Sequence, residues 1–218
     1  MDGVLVDSYR AHLRSWQETA RAHGLVMTEE DFARSFGRTS REIIRHLWGD
    51  RFDAAAVAAF DEEKEAAYRR VLRTSFPEMP GASALIRDLQ AAGFALAIGS
   101  SGPPANVALV QECLAAGALI DATVSGMEVT HGKPDPDVFL LAARKIAVPP
   151  ARCAVIEDAP VGLEAARRAG MVAIGLTGTV PREKLAEKAA VVVDSLSQLS
   201  AQRIAEWIDA ARGAPPID

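Results

Sequence analysis

The chain has few aromatic side chains, 6% of its 218 residues, and only two cysteines, Cys113 and Cys153. Two isolated thiols make no disulfide framework, and in a chain of this length they fit a reducing cytoplasm. Positive charge is also in short supply. Lys and Arg total 24 against 29 Asp and Glu, a formal net charge of −5, which offers no electrostatic footprint for nucleic acid or for an anionic membrane surface. No apolar run approaches the ~18 residues of a membrane helix, and the start has no basic segment followed by an apolar one, so neither export nor insertion is expected. Internal repeats are absent, and only the tail "GAPPID" reads as loose. What remains is an ordinary globular composition, 49% hydrophobic and 24% charged, in a chain long enough for one large domain or one domain plus an insertion. Small molecules are the expected partners. Nothing in the sequence fixes an oligomeric state.

From Ser8 to about Phe76 the pattern is helical. Leu13, Trp16 and Ala20 share one face, and "TEEDF" has the form of an N-cap followed by acids in the first turn. After "FPEMPGA" the texture changes to short apolar runs alternating with helices: "FALAIGSS", "ATVSG", "CAVIED", "MVAIGL" and "AVVVDS". Helices are expected near 82–92, 104–116 and 136–146. Such alternation predicts an α/β fold, a parallel sheet with helices on both faces, with residues 9–77 inserted as a separate helical unit. Ligands in this architecture bind at the carboxyl ends of the strands.

Four places there carry polar groups. "AIGSSG" delivers Ser100 and Ser101 before a helix, where hydroxyls and free N–H groups suit a phosphate, although taken alone a plain N-cap is the simpler reading. "HGKPDPDVF" fixes the cation of Lys133 beside two prolines that stiffen the turn. "VIEDAPVGLEAARRAGM" ends an apolar strand on Glu157 and Asp158, with Pro160 and Gly162 opening the next helix and Gly170 closing it. Two adjacent carboxylates either favour the positive helix end or serve as oxygen ligands for Mg²⁺. The fourth place is the start itself, "MDGVLVDS".

Together and in this order, these segments resemble the haloacid dehalogenase superfamily, in the branch that includes β-phosphoglucomutase and phosphoglycolate phosphatase. The resemblance spans essentially the whole chain. It implies a Rossmann-like core over 1–8 and 78–218 and a helical cap domain over 9–77. It also implies an Asp-x-Asp-Gly motif whose second acid, Asp2, is the general acid/base, and whose first acid, the nucleophile, falls one position ahead of Met1. The strand leading into that motif would lie between the runs at 94–99 and 153–157. Four or five buried apolar side chains at ~1.5–3 kcal/mol each make such a strand worth on the order of 10 kcal/mol. The resemblance further assigns Mg²⁺ to Asp2 (through its carbonyl), Asp158 and Glu157, and the phosphoryl oxygens to Ser100, Ser101 and Lys133.

The substrate is less determined. His12 and Trp16 lie four apart on one helix face, either as a packed aromatic pair or, as "DSYRAHLRSW" and the cap lysine Lys64 resemble the mutase pattern, facing a sugar phosphate. Arg38 and Arg41 in "FGRTSREII" depart from that pattern and suit a carboxylated or doubly phosphorylated ligand. The resemblance thus implies a Mg²⁺-dependent, cytoplasmic phosphatase of small phosphorylated metabolites. A sugar-phosphate mutase is the alternative, and a binding protein without turnover is the reading from another class. The chain lacking its nucleophile is expected to be inactive or strongly impaired.

Overall fold

The computed structural model describes residues 1–35 and 39–213, apart from the side chain of Asp50. The chain divides into two compact units, one made of Met1–Asp7 and Glu78–Asp218, the other of Ser8–Pro77.

The second unit carries four α-helices among its described residues: α1 (Tyr9–Ala22), α2 (Glu29–Ser35), α3 (Ser40–Trp48) and α4 (Ala54–Thr74). Local chemistry sets the helix starts. The Thr28 hydroxyl accepts from the Asp31 N–H at 3.0 Å, Thr39 and Glu42 close a capping box on α3, and Asp53 accepts from the Ala56 N–H at 2.8 Å ahead of α4. Burial along α4 falls on Val57, Phe60, Lys64, Ala67, Tyr68 and Leu72, a single stripe at helical spacing. That stripe meets Leu13, Trp16 and Ala20 of α1; Phe32 and Ile44 complete the unit's own core.

The first unit is α/β. Strands β1 (Ala97–Gly99), β2 (Ala122–Val124), β3 (Ala154–Glu157), β4 (Val172–Leu176) and β5 (Val191–Val193) alternate with α5 (Ala82–Ala91), α6 (Pro104–Cys113), α7 (Asp137–Lys145), α8 (Pro160–Arg168), α9 (Arg182–Ala186) and α10 (Ala201–Gly213). Every strand pairing is parallel, as helical crossovers require. All five residues of β4 are buried, the mark of a strand covered on both faces.

The sheet is divided. β1 pairs with β2, while β3, β4 and β5 form a second sheet in that order, and the two are not hydrogen-bonded to each other. The slot between β1 and β3 is a cavity of about 570 Å³ whose lining includes Val4, Leu5, Leu89, Ile98, Ile156 and Ile208. It separates the two runs between which the family resemblance implies a further strand. The slot accounts for a shortened β1: "FALAIGSS" yields only Ala97–Gly99 as strand, held on one side by β2.

Residues 1–7 fold as a tight turn against the core. The Gly3 N–H donates to the Val6 carbonyl at 2.9 Å, Leu5 to Met1 at 2.8 Å, and Met79 to Leu5 at 3.0 Å. Gly3 adopts a φ of 66°, which disfavours any side chain.

Candidate functional site

The turn carrying Asp2 meets the strand that ends on the paired acids. A Cβ on Gly3 would stand 1.9 Å from Asp158 Oδ2 and 3.1 Å from Thr179 Oγ1, so the absence of a side chain at Gly3 is what lets the backbone beside Asp2 approach the carboxylate. Asp158 is 8% exposed. Burial and the adjacent charge of Glu157 push its carboxyl above the ordinary carboxylate range, against a hydrogen bond donated by the Thr179 hydroxyl and the positive charge of the N-terminal amine. Asp158 is therefore a carboxylate whose ionised form calls for a cation beside it.

Glu157 has such a partner already. Lys133 Nζ lies 3.3 and 3.4 Å from its two carboxyl oxygens, with both side chains at least nine-tenths buried. The same ammonium sits 4.8 Å from the centre of the Phe139 ring. Contacts of that length are loose for a charge-assisted bond, which leaves the lysine able to serve a second anion. Gly162 makes room for the pair: a Cβ there would fall 2.0 Å from Glu157 Oε1. Glu157, read in the sequence as a metal ligand beside Asp158, thus stands in the structure as the counter-ion of Lys133.

Ser100 is buried, and its hydroxyl accepts from the Gly102 N–H at 3.1 Å. It does not cap the helix, since α6 begins at Pro104 behind Pro103. Ser101 is exposed beside it. A Cβ on Gly102 would lie 3.3 Å from the Ser100 hydroxyl and 3.9 Å from Met1 Cε, which places this loop against the first residue of the Asp2 turn. Contacts join Gly102 of the Ser100 loop to Met1, Gly3 to Asp158, and Lys133 to Glu157, with Asp2 between Met1 and Gly3 in the chain. Four segments far apart in sequence therefore share one edge of the α/β unit.

In the helical unit His12, Trp16 and Lys64 also come together. Lys64 Nζ is 3.2 Å from His12 Nδ1 and 2.7 Å from Glu65 Oε1, and 5.6 Å from the centre of the Trp16 ring. His12 stacks on Tyr68 with centroids 4.1 Å apart and planes 6° from parallel. Trp16 is 2% exposed and packs on Trp48 and Phe60, so most of its ring belongs to the unit's core. Arg38 lies outside the described residues, and Arg41 is exposed.

Among the described residues no three His, Cys, Asp or Glu side chains form a metal cluster. What the site offers instead is a buried carboxylate, Asp158, which stays above the ordinary carboxylate range despite its hydrogen bond from Thr179 and the nearby N-terminal amine, with a backbone turn pressed against it. This donor set fits Mg²⁺, which keeps several waters and takes few protein oxygens; it does not fit a cation that needs an all-protein cage. Sequence reasoning missed Thr179, Glu65 and Tyr68. Thr179 sits in "TGTVP", a loop with no periodic signal, whereas Tyr68 follows Lys64 by four residues on α4 and was reachable from helical spacing.

No helix of the described residues is long and apolar enough to cross a membrane. A family model described as haloacid dehalogenase-like hydrolase matches residues 1–170. The chain is 34% identical over 202 residues to hexitol phosphatase A of Escherichia coli, covering 92% of this chain and 90% of that protein. It is 33% identical over 203 residues to validoxylamine A 7'-phosphate phosphatase of Streptomyces hygroscopicus subsp. limoneus, covering 89% and 91%. Its fold matches that of a family IA hydrolase from Entamoeba histolytica with a TM-score of 0.86 at 24% identity, covering 96% of both chains. A chain with this order of strand-end acids, serine and lysine, and with these relatives, belongs to the haloacid dehalogenase-like hydrolases.

Proposed function

We propose that this α/β unit is the phosphoryl-transfer core of a Mg²⁺-dependent phosphatase acting on small phosphorylated sugars or sugar alcohols. The observation that carries the reading is the contiguity of the Asp2 turn, the Ser100 loop, Asp158 and the Lys133–Glu157 pair at one sheet edge. Relatives named hexitol phosphatase A and validoxylamine A 7'-phosphate phosphatase support the substrate class.

The phosphoryl acceptor in this reading is a carboxylate one position ahead of Met1, as the family resemblance implies, on a strand that would run between β1 and β3. Its oxygen attacks phosphorus while the ester P–O bond breaks, and Asp2 donates a proton to the departing alkoxide. Asp2 then takes a proton from water as the water oxygen attacks phosphorus and the acyl-phosphate bond opens. Bound Mg²⁺ would supply charge neutralisation at the phosphoryl group. Asp158 and the Asp2 carbonyl would hold it, with Glu157 acting mainly through Lys133. Lys133, the Ser100 hydroxyl and the backbone N–H of Ser101 take phosphoryl oxygens. The helical unit is the cap that selects the substrate, and a chain with only two, widely spaced cysteines fits a cytoplasmic setting.

Phosphoryl transfer to a second hydroxyl, as in a mutase, is the second reading; the His12–Lys64 pair favours it. Either is tested with protein extended upstream by an apolar strand ending in Asp, assayed on phosphorylated hexoses and hexitols with and without Mg²⁺. Hydrolysis that requires Mg²⁺ and falls by about three orders of magnitude in Asp158→Ala, the scale of losing a principal electrostatic contact, is expected. Undiminished hydrolysis in that variant removes Asp158 from the mechanism.

A further inference from the structure

We infer that Lys64 and Glu65 lock His12 as its neutral tautomer with the proton on Nε2, making Glu65 a positioning residue and His12 a fixed hydrogen-bond donor to an oxygen of the substrate, not a base. Lys64 is 5% exposed. A lysine that deeply buried keeps its charge only beside a counter-ion. Glu65 Oε1 supplies one at 2.7 Å, and its own side chain is 13% exposed. An ammonium has three N–H donors and no acceptor. Its contact with His12 at 3.2 Å therefore requires an unprotonated Nδ1, and a neutral imidazole bare at Nδ1 carries its proton on Nε2.

The ring is also fixed in its plane. Stacking on Tyr68 at 4.1 Å and 6° holds the plane of the ring, which both flipped orientations share, so the Lys64 contact selects the nitrogen that faces the ammonium; Tyr68 comes from the same face of α4 as Lys64. Trp16 and Tyr68 take up the remaining faces of the ammonium, at 5.6 and 5.9 Å. A donor held this way addresses hydroxyl, ring or phosphoryl oxygens, the groups in which a sugar phosphate is rich. That last step rests on the phosphatase reading; the tautomer does not.

Long-range ¹H–¹⁵N NMR of the chain's histidine rings at pH 8 tests it, with Lys64→Met and Glu65→Gln as variants. Expected are an unprotonated Nδ1 and a protonated Nε2 at His12 in the wild type. Lys64→Met should give a mixture of tautomers, and Glu65→Gln a smaller movement in the same direction. A proton on Nδ1 in the wild type overturns the inference without any variant, which matters if Lys64→Met fails to fold, and a ring signature unchanged in both variants overturns it too. The substrate side is read separately in the extended protein. His12→Gln should raise KM about tenfold, the scale of one lost hydrogen bond, with a smaller change in kcat. An unchanged KM confines His12 to a structural role, whereas the expected tautomer in a protein without phosphatase activity sinks the functional reading alone.

Discussion

Asp158 combines the features that make a carboxylate useful and costly at once: it is buried, it neighbours Glu157, and a bare glycine backbone presses against it. Its carboxyl titrates above the ordinary value in the folded chain. The folded state therefore holds its proton to higher pH than the unfolded state does, and stability falls as pH rises through that window. At neutral pH the group costs stability until a cation arrives. Asp158→Asn keeps an acceptor for Thr179 and removes the charge, so without Mg²⁺ its melting temperature should exceed the wild type's at pH 7.5 and match it below the ordinary carboxylate range. Mg²⁺ should stabilise the wild type and not the variant; a melting temperature equally independent of pH in both proteins would contradict this. The acid pair and Lys133 were legible in the sequence as separate signals. Their pairing across 24 residues was not, because sequence shows each charge without its neighbour. Thr179 left no trace either, since a hydroxyl in a Gly- and Pro-bounded loop has the look of any turn residue.

At the level of elements, what periodicity can encode was readable. The apolar stripe of α4 from Val57 to Leu72 and the continuous burial of β4 follow from spacings of helix and covered strand. Ends were less so: the helix expected to reach 116 stops at Cys113, and β1 keeps three residues of its apolar run. Strand length depends on a partner, and β1 has one only on the side of β2. The slot edge is where dynamics should show it. Amide exchange along β1 and β3 should be fast in the present chain and slow by at least tenfold once an apolar strand precedes Met1, as edge groups gain ladder bonds. Equal rates in both proteins would mean that the slot accepts no strand.

Across the whole molecule, two cores serve two tasks. The α/β unit gathers Asp2, Ser100, Lys133 and Asp158 at one edge, and the helical unit builds its own centre on Trp16, Phe32 and Phe60 while holding His12 against Lys64. The central claim is that the strand-end loops stabilise a phosphoryl group passing to an acid just ahead of Met1. Rapid acid quenching of the extended protein with a ³²P-labelled hexitol phosphate, followed by peptide mapping, measures that transfer directly. Label is expected on the upstream Asp, appearing only with Mg²⁺ and lost on chase with unlabelled substrate. Label on another residue, or turnover with no labelled protein at any quench time, would contradict it.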